Sequence, residues 1–241
     1  MFSDLHNKSL FDMRKISPAQ ILTFVALFGA SLILGITTAN LLFGQFALGD
    51  FRGIVLVFAS ICCLYLYAIT FYRLFLVLYP FPAGEIAKNS RAEFSYHVYL
   101  LFYLILFYPI MRSGFVPISF MRLFYQALGA RLGENTYSSG IILDPPFIEI
   151  GDNSLVGQFA LLVPHAIEND KLAHYPIRIG HNVTIGAHSV VLAGCTIEDG
   201  ALVATGAVVK KGTHIGPGEV WGGVPAKLIR KSSDQAPTTN A

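Results

Sequence analysis

Charge is scarce in this chain. Asp, Glu, Lys and Arg together make up 13% of its 241 residues, while apolar and aromatic residues reach 54%. That balance excludes an ordinary soluble domain over the whole length. The formal net charge of +2 offers no basic surface, so nucleic acid is not an expected partner. Cysteine is nearly absent too. Cys62 and Cys63 lie in an apolar run and Cys195 in a repeat, which leaves no disulfide framework and points to a reducing compartment.

What the chain has instead is a long apolar start. After a polar segment with Lys8, Arg14 and Lys15, residues 19–43 carry no charge and are long enough to cross a bilayer. A signal peptide is excluded by the length of the run and the lack of a small-residue cleavage site before a soluble region. A second run covers 53–78, broken only by Arg73, which is expected to snorkel or to lie within protein. Two transmembrane helices are therefore predicted. Basic residues on their outer flanks outweigh Arg52 between them, so the positive-inside rule places the N-terminus and everything after residue 80 in the cytoplasm.

Residues 94–129 read differently. Tyrosines, His97 and Pro109 interrupt the apolar run at 94–111, and Arg112 and Arg122 bracket a second amphipathic piece. Interfacial or re-entrant helices are the expectation. A third full span is the alternative, and it would put the rest of the chain across the membrane.

From residue 130 the pattern changes to a period of six. Ile179, Ile185, Val191, Ile197, Val203, Val209 and Ile215 fall in strict register, and three residues after each comes Asn182, His188, Gly194, Gly200, Gly206, Gly212 and Gly218. Six fits neither a helix nor a plain strand. It fits short strands joined by corners, the aliphatic residue pointing inward and a residue tolerant of positive φ at the corner. Three hexads close a triangular coil, and stacked coils make a parallel β-helix. Leu132, Ile150, Val156 and Leu162 extend the register backwards, while the spacing from Leu162 to Ile179 is one short of three hexads. The polar residues between them (His165, Glu168, Asn169, Asp170, Lys171, His174) are predicted to form a loop thrown out of the coil, with His174 at the surface. The chain thus divides into an anchor (1–93), interfacial helices (94–129), a β-helix (130–231) and a disordered tail (232–241).

The stretches IEIGDNSLVG (148–157), LVPH ending at His165, PIRIGHNVTIGAHSVVLAGCTI (176–197) and GGVPAKLIRK (222–231) resemble the hexapeptide-repeat acyltransferases. The resemblance is specifically to the branch with galactoside, maltose and xenobiotic acetyltransferases, and it covers about residues 130–231. The anchored arrangement resembles, more loosely, bacterial proteins that join such a domain to membrane helices, which implies an inner-membrane protein with a cytoplasmic β-helix. The family implies a left-handed coil, a homotrimer with its active site between neighbouring prisms, and acyl transfer, usually acetyl, from coenzyme A to a hydroxyl or amine. By this likeness His165 is the general base. Asp144 and Ser139 fall at acceptor positions, Ser139 standing where those relatives carry Asn. Ala187 and Thr205 fall along the pantetheine arm. Lys210, Lys211, Lys227 and Arg230 are candidates for the phosphates, and Gly223 and Pro225 belong to the motif bordering the adenine. No metal is expected.

Imidazole titrates near neutrality and suits the removal of a proton from an attacking alcohol or amine. Asp144 precedes two prolines, so a purely turn-forming role explains it equally well. Two other readings compete. One is a non-catalytic trimeric membrane scaffold. The other is a γ-carbonic-anhydrase-like zinc enzyme, which pairs two histidines five residues apart, whereas His181 is followed at that spacing by Gly186.

Overall fold

The computed structural model describes residues 14–47, 49–168 and 171–231, so the expected tail lies outside the described residues. The chain divides into two compact units. One holds Lys15–Phe81 and Lys88–Pro109; the other gathers Arg14, Pro82–Ala87 and the described residues from Ile110 on.

The helical unit contains α1 (Pro18–Phe43), α2 (Arg52–Leu78) and most of α3 (Arg91–Ser113). Ser17 opens α1 with a capping box, its hydroxyl accepting from the Gln20 amide and the Gln20 side chain accepting from the Ser17 amide, with Pro18 in the first turn. Ser31, Gly35 and Ala39 are buried at four-residue spacing on one face of α1. A Cβ on Gly35 would lie 2.8 Å from the Leu64 amide nitrogen, so the α1 and α2 backbones meet there through small residues. Thr38 and Tyr67 hydroxyls lie 2.9 Å apart across the same seam.

All three helices are long and apolar enough to cross a membrane. Residues 91–113 form one continuous helix that runs through Pro109, because a π turn at Tyr103–Phe107 widens the backbone immediately before the proline ring. It packs through rings: Tyr72 lies 5.1 Å from Phe107, and Phe24 meets Phe102 edge-on at 5.1 Å.

The second unit is the parallel β-helix that the period of six predicts. Its first face stacks Arg131–Leu132, Ile148–Ile150, Ile177–Ile179, Thr196–Ile197 and His214–Ile215. The second face stacks Tyr137–Ser138, Leu155–Val156, Thr184–Ile185, Leu202–Val203 and Val220–Gly222, closed by the antiparallel strand Lys227–Arg230. The third stacks Ile141–Ile142, Leu161–Val163, Val190–Leu192 and Val208–Val209. The inward residues Ile142, Val156, Ile185, Val191, Val203, Val209 and Ile215 are all buried. Corner residues take positive φ as expected, Asn182 at 56°, His188 at 56° and Gly206 at 70°. Helix α4 (Ile118–Leu128) caps the open first coil. It buries Met121, Tyr125 and Leu128, and the Tyr125 hydroxyl donates to the Gly140 carbonyl and accepts from the Ile142 amide.

The expected polar loop is more ordered than its composition implies. His165–Glu168 and Lys171–His174 pair antiparallel, and the strand Gly84–Ile86 adds to the outer edge of Lys171–His174. A three-stranded sheet therefore projects from the edge between the third and first faces, its base closed by the Tyr175 amide donating to the Pro164 carbonyl at 2.8 Å.

Candidate active site

The chemistry gathers where the chain turns from the third face toward the first. Asp144 leaves the first coil with φ 44° and ψ 64°, a left-handed conformation that Asp tolerates better than most residues. It caps the short 3-10 turn Pro145–Phe147 without using its side chain there. The carboxylate instead reaches the next coil, where Asp144 Oδ2 lies 2.5 Å from His165 Nδ1. The backbone of Asp144 makes the turn, and its side chain pairs with the histidine.

A carboxylate can only accept a hydrogen bond, so Nδ1 of His165 carries the proton and Nε2 is left with its lone pair. His165 is partly exposed, with 35% of its side chain open to solvent against 6% for Asp144. Its pKa is raised above the ordinary 6.5, first by the hydrogen bond to Asp144 and further by the carboxylate charge, against a lowering from burial.

His174 corrects the sequence reading. Expected at the surface, it is fully buried, because the hairpin register sets it directly opposite His165. Its ring stacks on Phe147 at 4.8 Å, and its Nε2 lies 3.9 Å from Asp144 Oδ1. Burial lowers its pKa to about 4, and the His165 ring adds to the lowering against the pull of Asp144. One carboxylate therefore faces two imidazoles, one open and basic, one buried and neutral. The missed signal is a hairpin: Asn and Asp are turn residues, and Asn169-Asp170 sits midway between the two histidines.

The remaining predicted residues divide between edges. Lys210 and Lys211 follow the dyad on its own edge. Lys211 is held by Glu168 at 2.8 Å and sits 5.0 Å over the Tyr175 ring. Ala187, Thr205 and Gly223 form a column on a different edge, between the second and third faces, where Gly206 donates to the Ala187 carbonyl and Val208 to that of Gly223. Coils are tightly stacked there: a Cβ on Gly186 would lie 2.5 Å from the Thr205 nitrogen. Ser139 turns on this edge in the first coil, its amide donating to the Val156 carbonyl. Pro225 follows Gly223 by a cis bond to Val224, and Lys227 and Arg230 are exposed on the closing strand. One chain brings Asp144 to His165 and leaves the Ala187–Thr205 column on another edge. A broad depression of about 820 Å³ on the first face, lined by Arg131, Glu149, Arg178 and Asp199, contains none of the predicted site residues.

Two outward faces are largely apolar. Tyr137, Leu155, Thr184, Leu202 and Val220 point out from the second face and Ile141, Leu161, Val190 and Val208 from the third, whereas Arg131, Glu149, Arg178, Thr196 and His214 point out from the first. At the edge between the apolar faces Phe159 holds φ 58°, is 70% exposed and stacks on His188 at 5.0 Å. A bulky residue in that conformation is strained, and Gly or Asn would relieve it.

Comparison with known proteins places the repeat. Residues 176–211 match the family described as bacterial transferase hexapeptide (six repeats). Galactoside O-acetyltransferase of Escherichia coli is 35% identical over 113 residues, covering 43% of this chain and 55% of that protein. Gamma carbonic anhydrase 1 of Arabidopsis thaliana mitochondria is 47% identical over 79 residues, covering 25% of this chain and 28% of that protein. Among solved structures, a maltose O-acetyltransferase from Clostridium difficile is 29% identical with a TM-score of 0.40, covering 44% of this chain and 60% of that one. The chain spans about half the length of the galactoside enzyme and less than a third of the anhydrase. These likenesses fall within the repeat domain, which is similar there to hexapeptide transferases. Among the described residues no three His, Cys, Asp or Glu side chains converge as a metal site.

Proposed function

We propose that this protein is a membrane-anchored acyltransferase that uses acetyl-CoA, or another acyl-CoA, to modify a hydroxyl or amine of a membrane-associated glycan, lipid-linked or peptide acceptor. The observation that carries the reading is the Asp144–His165 pair, set on a rigid coil with the basic nitrogen left open. In the reaction, His165 Nε2 takes the acceptor proton as the acceptor oxygen or nitrogen bonds to the thioester carbonyl carbon. The carbon–sulfur bond then breaks, and the departing thiolate receives the proton back from His165. Asp144 holds the imidazole in the required tautomer and favours the imidazolium that forms.

The donor and acceptor roles follow the geometry of two edges. The Ala187–Thr205 column presents backbone and a hydroxyl for a pantetheine arm, and the exposed Lys210, Lys227 and Arg230 supply charge for phosphates. Because that column and the dyad lie on different edges of one prism, a complete site needs a second copy. Burial of the two apolar faces in a homotrimer supplies it. Anchoring rests on α1 and α2, each long and apolar enough to span. The carbonic anhydrase likeness covers only part of the repeat, and this chain lacks the paired-histidine spacing of that family.

The direct test is thiol release from acetyl-CoA by detergent-purified protein supplied with a membrane lipid and glycan extract. Release that requires the extract and disappears in His165→Ala supports the reading. Equal release by both proteins removes His165 as base, and failure to bind coenzyme A at all leaves the scaffold reading.

A further inference from the structure

We infer that α3 does not cross the bilayer: it enters and leaves from one membrane face, and the His165 hairpin works at that face. The inference rests on the proposal that α1 and α2 span the membrane, and it follows from three points of the chain that are tied together. The strand Gly84–Ile86 follows α2 and precedes α3. It pairs with Lys171–His174, in the register Gly84 with His174, Glu85 with Ala173 and Ile86 with Leu172. Lys171 Nζ reaches Glu85 at 3.5 Å. Arg14, which precedes α1, donates from its guanidinium to the Ile86 carbonyl at 2.7 Å.

Paired strands lie ~4.8 Å apart, whereas the hydrocarbon layer is ~30 Å thick. Open backbone edges and loops cannot bridge that layer. Arg14, the 84–86 strand and the His165 hairpin therefore share one side, and the number of crossings between any two of them is even. From Arg14 to Ile86 the chain crosses twice, through α1 and α2. Among the described residues from Ile86 to Leu172 the single helix long enough to cross is α3, so a full span is ruled out by parity. On this inference the segment is interfacial or re-entrant and not a third span.

The composition of α3 agrees. Its first two turns bury Glu93, Ser95 and His97, and Glu93 accepts from the Asn89 amide just before the helix. Phe102 meets Phe24 and Tyr72, which lie six residues inside the ends of α1 and α2 that face this side. Tyr65, at the middle of α2, donates to the Leu106 carbonyl in the π turn. A helix that meets its neighbours between one end and their middle, rich in tyrosine and shifted in register at the π turn, is built for partial insertion. Its occupant is the lipid of that leaflet, against which Leu104 and Ile105 are exposed. The hairpin bearing His165 and His174 is thereby tied to the strand between α2 and α3, and acceptors anchored in the same leaflet are the class it can reach.

Single cysteines at Asp50, Lys88, Phe115 and Glu198, in a chain with Cys62, Cys63 and Cys195 replaced, test this with a membrane-impermeant maleimide on sealed vesicles of both orientations. The expected result is labelling of 88, 115 and 198 in one orientation and of 50 in the other. Labelling of 88 and 115 in opposite orientations overturns the inference while leaving the anchor intact. Release of the protein by alkaline carbonate overturns the anchor itself, a different result. The strand pairing is checked separately with Glu85→Cys and Lys171→Cys, both exposed, joined by a short bifunctional maleimide within the membrane-bound protein. Absence of the cross-link removes the tie on which the parity depends.

Discussion

Two edges of the same prism do different work. The edge between the third and first faces interrupts its coils, with a left-handed Asp144 and a projecting hairpin, and it concentrates titratable groups. The edge between the second and third faces keeps its coils intact, stacks backbone on backbone through Gly157 and Gly186, and carries almost no charge. Their difference shows how a regular repeat acquires chemistry. The repeat supplies a rigid surface, and the departure from it places the proposed base. In the proposed enzyme neither edge suffices alone.

The sharpest way to break the comparison is to disable the irregular edge. His165→Ala is expected to lower turnover by ~10²–10⁴-fold with the fold unchanged, since the residue is partly exposed and packs little. Steady-state kinetics with circular dichroism checks both halves. The next test joins the edges. Co-assembly of His165→Ala with Thr205→Arg, a bulky block on the intact edge, should recover activity that neither variant has alone, because one interface of a mixed trimer keeps both functional edges. Recovery of nothing, with mixed trimers demonstrated, counts against a site shared between chains.

Smaller effects belong to packing and titration. Gly186→Ala puts a methyl 2.5 Å from the Thr205 nitrogen and should destabilise by about 1–3 kcal/mol, read as a lower denaturation midpoint. His174 is buried and neutral, with a pKa lowered to about 4 from an unfolded value near 6.5. Between those values the unfolded chain binds the extra proton, so stability is full above about 6.5 and falls as pH drops toward 4, by up to about 3 kcal/mol. His174→Phe should flatten that acid dependence, which chemical denaturation at several pH values measures. His165 runs the other way. Its raised pKa contributes stability below 6.5 that is lost as pH rises through the folded value.

The period of six made the coils legible, because every inward aliphatic and every corner residue obeys one geometric rule. His165 was legible as the residue where that rule stops. Phe159 was not: it occupies a corner position by register, and nothing in its residue type signals a left-handed backbone. His174 was hidden for a different reason. Its burial depends on the hairpin register and on Phe147, twenty-seven positions earlier in the chain. Nor does composition reveal that Gly84–Ile86 pairs with the hairpin, since three residues between apolar helices carry no periodicity to read.

The central claim is that Asp144 tunes His165 as the base. It is tested most directly by the pH dependence of kcat/KM in the wild type beside Asp144→Asn. The account predicts a rise in rate with pH through a midpoint above 6.5 in the wild type, because the neutral imidazole is the active form. In Asp144→Asn the midpoint should move to lower pH and the plateau should fall by about ten- to a hundredfold, the loss expected for an orienting partner of a catalytic group. An unshifted midpoint with an unchanged plateau would contradict it.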